Sequence, residues 1–149
     1  MHNFFKELPH NEILWTALTA WFLAQFIKGI FYFIKEKRVN FRRFVGAGGM
    51  PSSHSALVAA LATAVGLQMG WDQAITAVTL IFAVIVMYDA AGVRHAASRQ
   101  AMTLNKMIDE LFEEGEFNQE RLKELLGHTP VEVIMGAMLG IIMAYLLIN

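Results

Sequence analysis

The chain has no cysteine among its 149 residues, so neither disulfides nor thiolate metal sites contribute to it. It also has little net charge, because 12 Lys and Arg residues stand against 13 Asp and Glu residues. Without a global basic field, we expect no nucleic-acid partner. Internal repeats and low-complexity tracts are lacking as well, and residues 1–12 are too short and mixed in polarity to predict a cleavable signal peptide.

Apolar residues are abundant instead, at 56% of the sequence with a mean hydropathy of +0.43. They collect in four runs, each near the lower limit of about 17–25 residues for a bilayer span. A soluble four-helix bundle would show polar stripes at helical period, whereas Leu80–Met87 is apolar all round. We therefore predict an all-α integral membrane bundle, a single domain over residues 1–149. Its four transmembrane helices are predicted at about 13–34, 54–71, 73–89 and 130–148.

The basic residues predict the orientation of these helices. The connectors Lys35–Arg43 and Arg94–Lys123 hold ten of the twelve Lys and Arg residues. With four spans, both connectors lie on one side, which the positive-inside rule makes cytoplasmic. We predict a multi-pass protein of the inner (plasma) membrane with both termini outside. Helical spacing in the second connector predicts a cytoplasmic helical hairpin over about 95–127, and Gly70–Asp72 is predicted to be a tight turn.

The first chemical motif is Gly-Gly-Met-Pro-Ser-Ser-His-Ser over residues 48–55. A glycine-rich turn here feeds an apolar run for which Ser52 or Ser53 is a natural N-cap. Helix amides at such a start bind anions, phosphate above all, so Gly49, Ser52 and Ser53 are candidate phosphate-binding residues. His54 would lie in the first turn and could exchange a proton with a phosphate ester. The alternative is an ordinary capped helix with a solvated histidine.

The second motif surrounds His128, which lies just before the last apolar run. Thr129 and Glu132 have the spacing of a capping box, with Pro130 at the first helical position. This explains Glu132 structurally. A functional interpretation is that Glu132 orients His128 by accepting its ring proton. The two roles are compatible, and the sequence leaves both open.

Charged residues near the membrane boundary supply further candidates. Asp89 and Arg94 could form a plain ion pair, or the planar guanidinium of Arg94 could bind a phosphate group through two hydrogen bonds. Lys28 is an ionisable residue inside a predicted span, which makes it a functional-site candidate, with snorkelling as the alternative. Gln25, one turn earlier, and Asp89 are assigned supporting roles.

The predicted topology puts His54, Arg94, His128 and the end nearest Lys28 on one face of the membrane. Two histidines, two cations and an amide-rich turn would then converge. Such a site suits phosphoryl transfer through a histidine nucleophile, with cations stabilising the phosphoryl oxygens.

The motifs resemble those of a known superfamily. Pro51-Ser52-Ser53-His54 resembles the Pro-Ser-Gly-His motif of the phosphatidic acid phosphatase type 2 superfamily, with Ser53 in place of Gly. Residues 128–136 resemble its last motif, His-x-x-x-Asp before a glycine-bearing span, with Glu132 for Asp. With Asp-Ala-x-Gly-Val-Arg over 89–94, the chain resembles the divergent bacterial branch, related to acid phosphatases and vanadium-dependent haloperoxidases.

The resemblance implies a role for each site residue. His128 would be the nucleophile that forms a phosphohistidine, Glu132 would orient it, and His54 would protonate the leaving oxygen. Ser53 and neighbouring amides, with Lys28 and Arg94, would hold the phosphate, and neither a metal nor another cofactor would be needed.

Two motifs of the superfamily are incomplete here. Its Ser-Arg pair falls on Arg121-Leu122, so Arg94 is our preferred stand-in, and its Lys-x6-Arg-Pro motif appears only as Lys35 to Arg42-Arg43. Whether Lys28 or Lys35 takes the lysine role is left open.

We expect a membrane phosphatase that hydrolyses a phosphate monoester or diphosphate, carried on a membrane lipid. One alternative is a non-catalytic binder or transporter of phosphorylated lipid. Another is a metal-dependent site using His54, Asp89, His128 and Glu132. Four spans fall short of the six common in lipid phosphatases, which favours a homodimer.

Overall fold

The computed structural model describes residues 4–36, 49–111 and 127–148, and every regular element in these ranges is helical. A short helix and a 3-10 turn precede five longer helices. The elements are α1 (Phe4–Glu7), the 3-10 turn (Leu8–His10), α2 (Glu12–Glu36), α3 (Ser53–Met69), α4 (Ala74–Tyr88), a π-turn (Asp89–Val93), α5 (Arg94–Leu111) and α6 (Pro130–Leu147).

Helix α3 is the centre of the bundle and packs against α6, α2 and α4. Its core positions are small: Ala56, Ala60 and Ala64 follow one another every four residues and are fully buried. Small side chains let helix backbones approach closely, which is how helices associate where lipid removes the hydrophobic drive between them. The central position of α3 therefore follows from its alanine content.

The contact between α3 and α6 depends on two glycines. A Cβ atom at Gly136 would overlap the carbonyl oxygen of Ser52, and one at Gly140 would overlap that of Ala56. Ala144, one turn further along α6, is also fully buried. Only hydrogen fits at the two glycines, so they fix how α6 is aligned along α3.

The face of helix α2 that packs in the bundle has a polar residue at each end, and its outward face is aromatic. The buried positions of α2 share one helical face, and they are Thr16, Ala17, Ala20, Ala24, Gln25 and Lys28. Phe22, Phe26 and Phe33 are more than half exposed, as expected of side chains that face lipid.

Three helical segments are long and apolar enough to cross a membrane: Glu12–Ile34, Ala74–Met107 and Pro130–Leu147. The all-α class and the presence of membrane-spanning helices are thereby confirmed. The remaining predicted span, 54–71, corresponds to the 17-residue Ser53–Met69, an apolar helix shorter than these three. Four spans and the single-domain assignment stay predictions.

The turn between α3 and α4 lies where the sequence predicts it. Gly70 has φ +105°, which ends α3, and its carbonyl accepts a hydrogen bond from Thr76 Oγ1 at 2.6 Å. The Trp71 ring folds back over Gly66, where a Cβ would lie only 2.6 Å from a ring carbon.

The first arm of the hairpin predicted over 95–127 joins the preceding helix directly in the structure. Helix α4, the π-turn and α5 follow one another without a break from Ala74 to Leu111. A π-turn accommodates a surplus residue inside a helix, so Asp89 and Gly92 do not end it. The second half of the predicted hairpin lies outside the described residues and stays a prediction.

Candidate functional site

The start of α6 holds a histidine against a carboxylate. Thr129 is the N-cap and its Oγ1 accepts from the Glu132 amide at 3.3 Å, while Glu132 Oε2 accepts from the Thr129 amide at 3.1 Å. The same Oε2 lies 3.1 Å from His128 Nδ1. The predicted capping box is therefore confirmed, and the same oxygen contacts His128. The geometry is compatible with an orienting role for Glu132, which stays a prediction.

His128 is also fixed through the backbone. The residue is only 2% exposed, and its backbone N–H donates to the carbonyl of Ala90 in the π-turn at 3.2 Å. The Glu132 carbonyl accepts from the Ser52 amide at 2.9 Å. These contacts bring together one end of the bundle, where α2 and α4 finish and α3 and α6 begin. We call it the site end.

Ala90 is a site residue that sequence reasoning missed. It acts through its carbonyl oxygen, and its side chain is a buried methyl group that carries no chemical signal. The only available hint is its place in the Asp-Ala-x-Gly-Val-Arg stretch, whose side chains were assigned the functional roles.

His54 faces His128 from the first turn of α3. The two ring centroids are 6.3 Å apart and the ring planes are inclined by 61°. This is the separation of an edge-to-face ring contact, so no phosphate fits between the rings. A phosphate group would have to reach both imidazoles from one side, where their edges come together.

The serine cluster at the start of α3 is fully enclosed. Ser52, Ser53 and Ser55 are each at most 1% exposed. Ser52 is the N-cap, and its Oγ accepts from the Ser55 amide at 3.4 Å and from the Ser55 hydroxyl at 3.0 Å. Because the Ser52 amide donates to the Glu132 carbonyl, the amides of Ser52 and Ser55 both bind within the protein.

Lys28 and Gln25 bring two polar atoms into the interior. The side chains are 6% and 8% exposed. Lys28 Nζ and Gln25 Oε1 have no hydrogen-bond partner among the residues that the structure describes. A buried ammonium without an acceptor is costly, so this position favours a bound anion. Snorkelling does not describe Lys28, because its side chain is buried.

Gly49 packs on the stem of Lys28. It has φ +87°, and a Cβ there would lie 3.4 Å from Lys28 Cγ. The Glu132 carboxylate interacts electrostatically with the Lys28 ammonium group. The glycine-rich turn, the buried lysine and the carboxylate that holds His128 therefore belong to one polar cluster.

Asp89 and Arg94 border this cluster. Asp89 is half-buried at the first position of the π-turn, beside the Ala90 carbonyl that holds His128. Arg94 begins α5, but its side chain lies outside the described part of the chain, as do the side chain of Lys35 and residues 42–43 and 121–122. The Asp89–Arg94 pair, the phosphate contact of Arg94 and the choice between Lys28 and Lys35 stay predictions.

The metal alternative gains no support from the donor geometry. Within residues 4–36, 49–111 and 127–148, no three His, Asp or Glu side chains are arranged to hold a metal ion.

The structure brings together most of the candidate residues at the site end. They are Gln25, Lys28, Gly49, Ser52, Ser53, His54, Asp89, His128 and Glu132.

The fold and the site define a helical membrane-type bundle with a carboxylate-held histidine and a second histidine at one end. The model of the Divergent PAP2 family matches residues 9–143, so the chain belongs to that family. It is 42% identical over 152 residues to the "Uncharacterized membrane protein YuiD" of Bacillus subtilis (strain 168), covering 95% of this chain and 96% of the relative. No solved structure matches the chain. The family resemblance and the membrane class are confirmed.

Proposed function

We propose that this membrane protein is a phosphatase that hydrolyses a phosphate monoester or diphosphate of a lipid through a phosphohistidine on His128. The observation that carries the proposal is the 3.1 Å contact of His128 Nδ1 with Glu132 Oε2. An ionised carboxylate only accepts hydrogen bonds, so the contact favours the tautomer with its proton on Nδ1. The lone pair is then on Nε2, which becomes the attacking atom.

The reaction follows in two balanced steps. In the first, Nε2 of His128 bonds to phosphorus while the bond to the leaving oxygen breaks, and His54 gives that oxygen a proton. In the second, water attacks phosphorus, His54 takes its proton, and the phosphorus–nitrogen bond breaks to release phosphate. Lys28 and Arg94 are assigned to the phosphoryl oxygens, whose charge they offset.

A lipid substrate is supported by the depth of the site. Trp15 and Tyr32 on α2 are 17 residues apart, or about 25 Å along the helix, and Trp71 and Tyr88 bracket α4 in the same way. Trp and Tyr favour the two membrane interfaces. Lys28 lies one turn inside Tyr32, so a phosphate bound there would lie near the level of lipid headgroups.

We also propose that α3 is a fourth span. Its 17 residues measure about 25 Å, the same length as the aromatic-bounded part of α2. With four spans, the connectors that hold ten of the twelve Lys and Arg residues share one side. The positive-inside rule then makes the site end cytoplasmic in the inner (plasma) membrane.

A second candidate function is binding or transport of a phosphorylated lipid without turnover. The observation that favours it is the buried ammonium of Lys28, whose Nζ has no hydrogen-bond partner among the described residues and would be stabilised by a bound anion without any reaction. Both functions predict phosphate binding at the site end, and only turnover separates them.

The test combines a substrate panel with trapping of the phosphoenzyme. Purified protein in lipid nanodiscs is assayed on lipid monophosphates, lipid diphosphates and an activated aryl phosphate, with and without chelator. We expect His128→Ala to abolish turnover of all three. His54→Ala should lower turnover of lipid substrates by about 10²–10⁴-fold and spare the aryl phosphate, whose leaving group needs no proton.

Acid-labile phosphoenzyme should form in the wild type and in His54→Ala but not in His128→Ala. His10→Ala is the matched control, since His10 is an exposed histidine outside the site. Phosphate binding without turnover on any substrate would favour the binder. Turnover that a chelator removes would overturn the histidine mechanism in favour of a metal.

A further inference from the structure

Helix α5 continues a membrane-type helix beyond the membrane. Helix α4, the π-turn and α5 contain 15, 5 and 18 residues, about 57 Å end to end if straight. A hydrocarbon core is only about 30 Å thick. Among the described elements, α5 packs mainly on the π-turn, so it leaves the bundle at the site end.

One side of α5 is apolar and exposed. Leu104 and Met107 are 48% and 52% exposed, and Val93, just before α5, is 58% exposed. These positions share one helical face, because residues 93 and 104 are separated by eleven positions, close to three full turns. Ser98 and Asn105 mark a different, buried face. The exposed apolar strip therefore starts at the membrane boundary and runs outward along α5.

The first fourteen residues of the same helix are basic, and Asp109 and Glu110 follow them. Between residues 94 and 107 the sequence contains no acid, while Arg94, His95, Arg99 and Lys106 all fall in this stretch. Arg99 and Lys106 are exposed and two turns apart. An amphipathic helix with exposed apolar and basic residues is suited to a membrane interface with anionic lipids.

A shallow groove on α5 is lined by both exposed apolar residues and a basic residue. Its volume is about 380 Å³, and it is lined by Arg99, Gln100, Thr103, Leu104 and Met107. Thr103 Oγ1 donates to the Arg99 carbonyl at 3.0 Å, so its hydroxyl is engaged by the helix itself. The groove therefore offers an apolar floor at Leu104 and Met107 and a guanidinium group at Arg99.

We propose that α5 lies on the membrane surface at the site end and that its groove binds an anionic phospholipid. The lipid phosphate meets Arg99, and acyl carbons lie along Leu104 and Met107. A bend at the π-turn, where helices commonly kink, would bring α5 onto the membrane surface. The absence of acids between residues 94 and 107 favours an anionic lipid over a protein partner. The groove shares no residue with the candidate site, so this lipid is a bound neighbour and not the substrate, and the proposal stands apart from the phosphatase.

The absence of cysteine allows a direct test by spin labelling. Leu104→Cys, Met107→Cys and Lys106→Cys are labelled singly in full-length protein in vesicles of phosphatidylcholine with phosphatidylglycerol. We expect the labels at 104 and 107 to be more accessible to oxygen than to a water-soluble nickel complex. The label at 106, on another side of α5, should show the reverse. Equal accessibility to the nickel complex at all three positions would overturn the proposal.

Spin–spin broadening at position 104 that disappears on dilution with unlabelled protein would assign the groove to a second copy and would likewise overturn the proposal.

A separate measurement tests the charge. Phosphatidylglycerol retained by detergent-purified protein is compared by native mass spectrometry in wild type, Arg99→Gln and Lys6→Gln. We expect Arg99→Gln to weaken retention about fivefold, the effect of one cation near an anionic surface.

Lys6→Gln is the matched control, because it removes one exposed charge remote from α5 and should leave retention unchanged. Equal retention in Arg99→Gln and wild type would overturn the assignment of the phosphate to Arg99. Equal loss in both variants would show a response to net charge alone, and it would overturn the groove as a site.

Discussion

Replacing Glu132 with Gln separates the two roles that one oxygen performs. In the native protein, Glu132 Oε2 accepts from the Thr129 amide and lies 3.1 Å from His128 Nδ1. Gln keeps an oxygen of the same reach, so the cap is retained, but it removes the charge. Thr129→Val is the complementary change, because it deletes the hydroxyl that caps the Glu132 amide and leaves the His128 contact in place.

Thr129→Val should mainly lose stability, and Glu132→Gln should mainly lose activity. Loss of an N-cap hydroxyl costs about 1 kcal/mol of stability, so Thr129→Val should unfold more readily and keep its turnover. Glu132→Gln should lose less stability through the cap but much more activity. The analogous Asp→Asn change in a Ser-His-Asp triad lowers turnover about 10⁴-fold, because the histidine takes the wrong tautomer. We expect an effect of similar order here.

The measurement does not depend on finding the substrate. Nitrogen-15 spectra of the five labelled histidines report which ring nitrogen carries the proton, and comparison with His128→Gln identifies the His128 signals. Wild type and Thr129→Val should show His128 protonated on Nδ1, whereas Glu132→Gln should show a mixture. An unchanged tautomer in Glu132→Gln, or an equal loss of turnover in Thr129→Val, would refute the orienting role and leave Glu132 as a cap.

Three further predictions concern packing, binding and topology. Gly49→Val should weaken vanadate binding in a folded protein, because φ +87° disfavours a side chain and the new atoms would press on Lys28. An unchanged vanadate affinity by titration would show that the turn is only a helix cap. Gly140→Ala should lower the unfolding midpoint sharply, since its Cβ would overlap an α3 carbonyl, and a wild-type midpoint would contradict the helix contact. Single cysteines at Asn40 and Asp72 should label from opposite sides of the membrane if α3 spans it, and labelling from one side would rule out the fourth span.

Local signals in the sequence predicted local structure well. The N-cap at Ser52 or Ser53, the capping box at Thr129 and Glu132 and the turn at Gly70 each depend on residues close in sequence. The structure confirms each of them, with Ser52 as the N-cap. The gathering of His54 and His128 at one end could also be predicted, because alternating helices bring every second connection to the same side.

Contacts between distant backbones could not be predicted in this way. The hydrogen bond from the His128 amide to the Ala90 carbonyl depends on the π-turn, and a surplus residue in a helix leaves no pattern in apolar spacing. The sequence also left Lys28 undecided between a functional-site role and snorkelling, because the placement of its side chain depends on a contact with Gly49, which is 21 residues away. The predicted span ends at residue 89 and the predicted hairpin begins at about 95, whereas the π-turn continues the helix through this stretch.

The glycine contacts between α3 and α6 have a consequence for how this family varies. Gly136 and Gly140 face the carbonyls of Ser52 and Ala56, and the same two helices carry His54 and His128. A larger residue on either helix would slide one against the other and change the separation of the imidazoles. We therefore expect the paired positions to mutate in concert among relatives, whereas the lipid-facing aromatics of α2 drift freely. The distance between the two histidines would then be conserved among relatives as strictly as the histidines themselves.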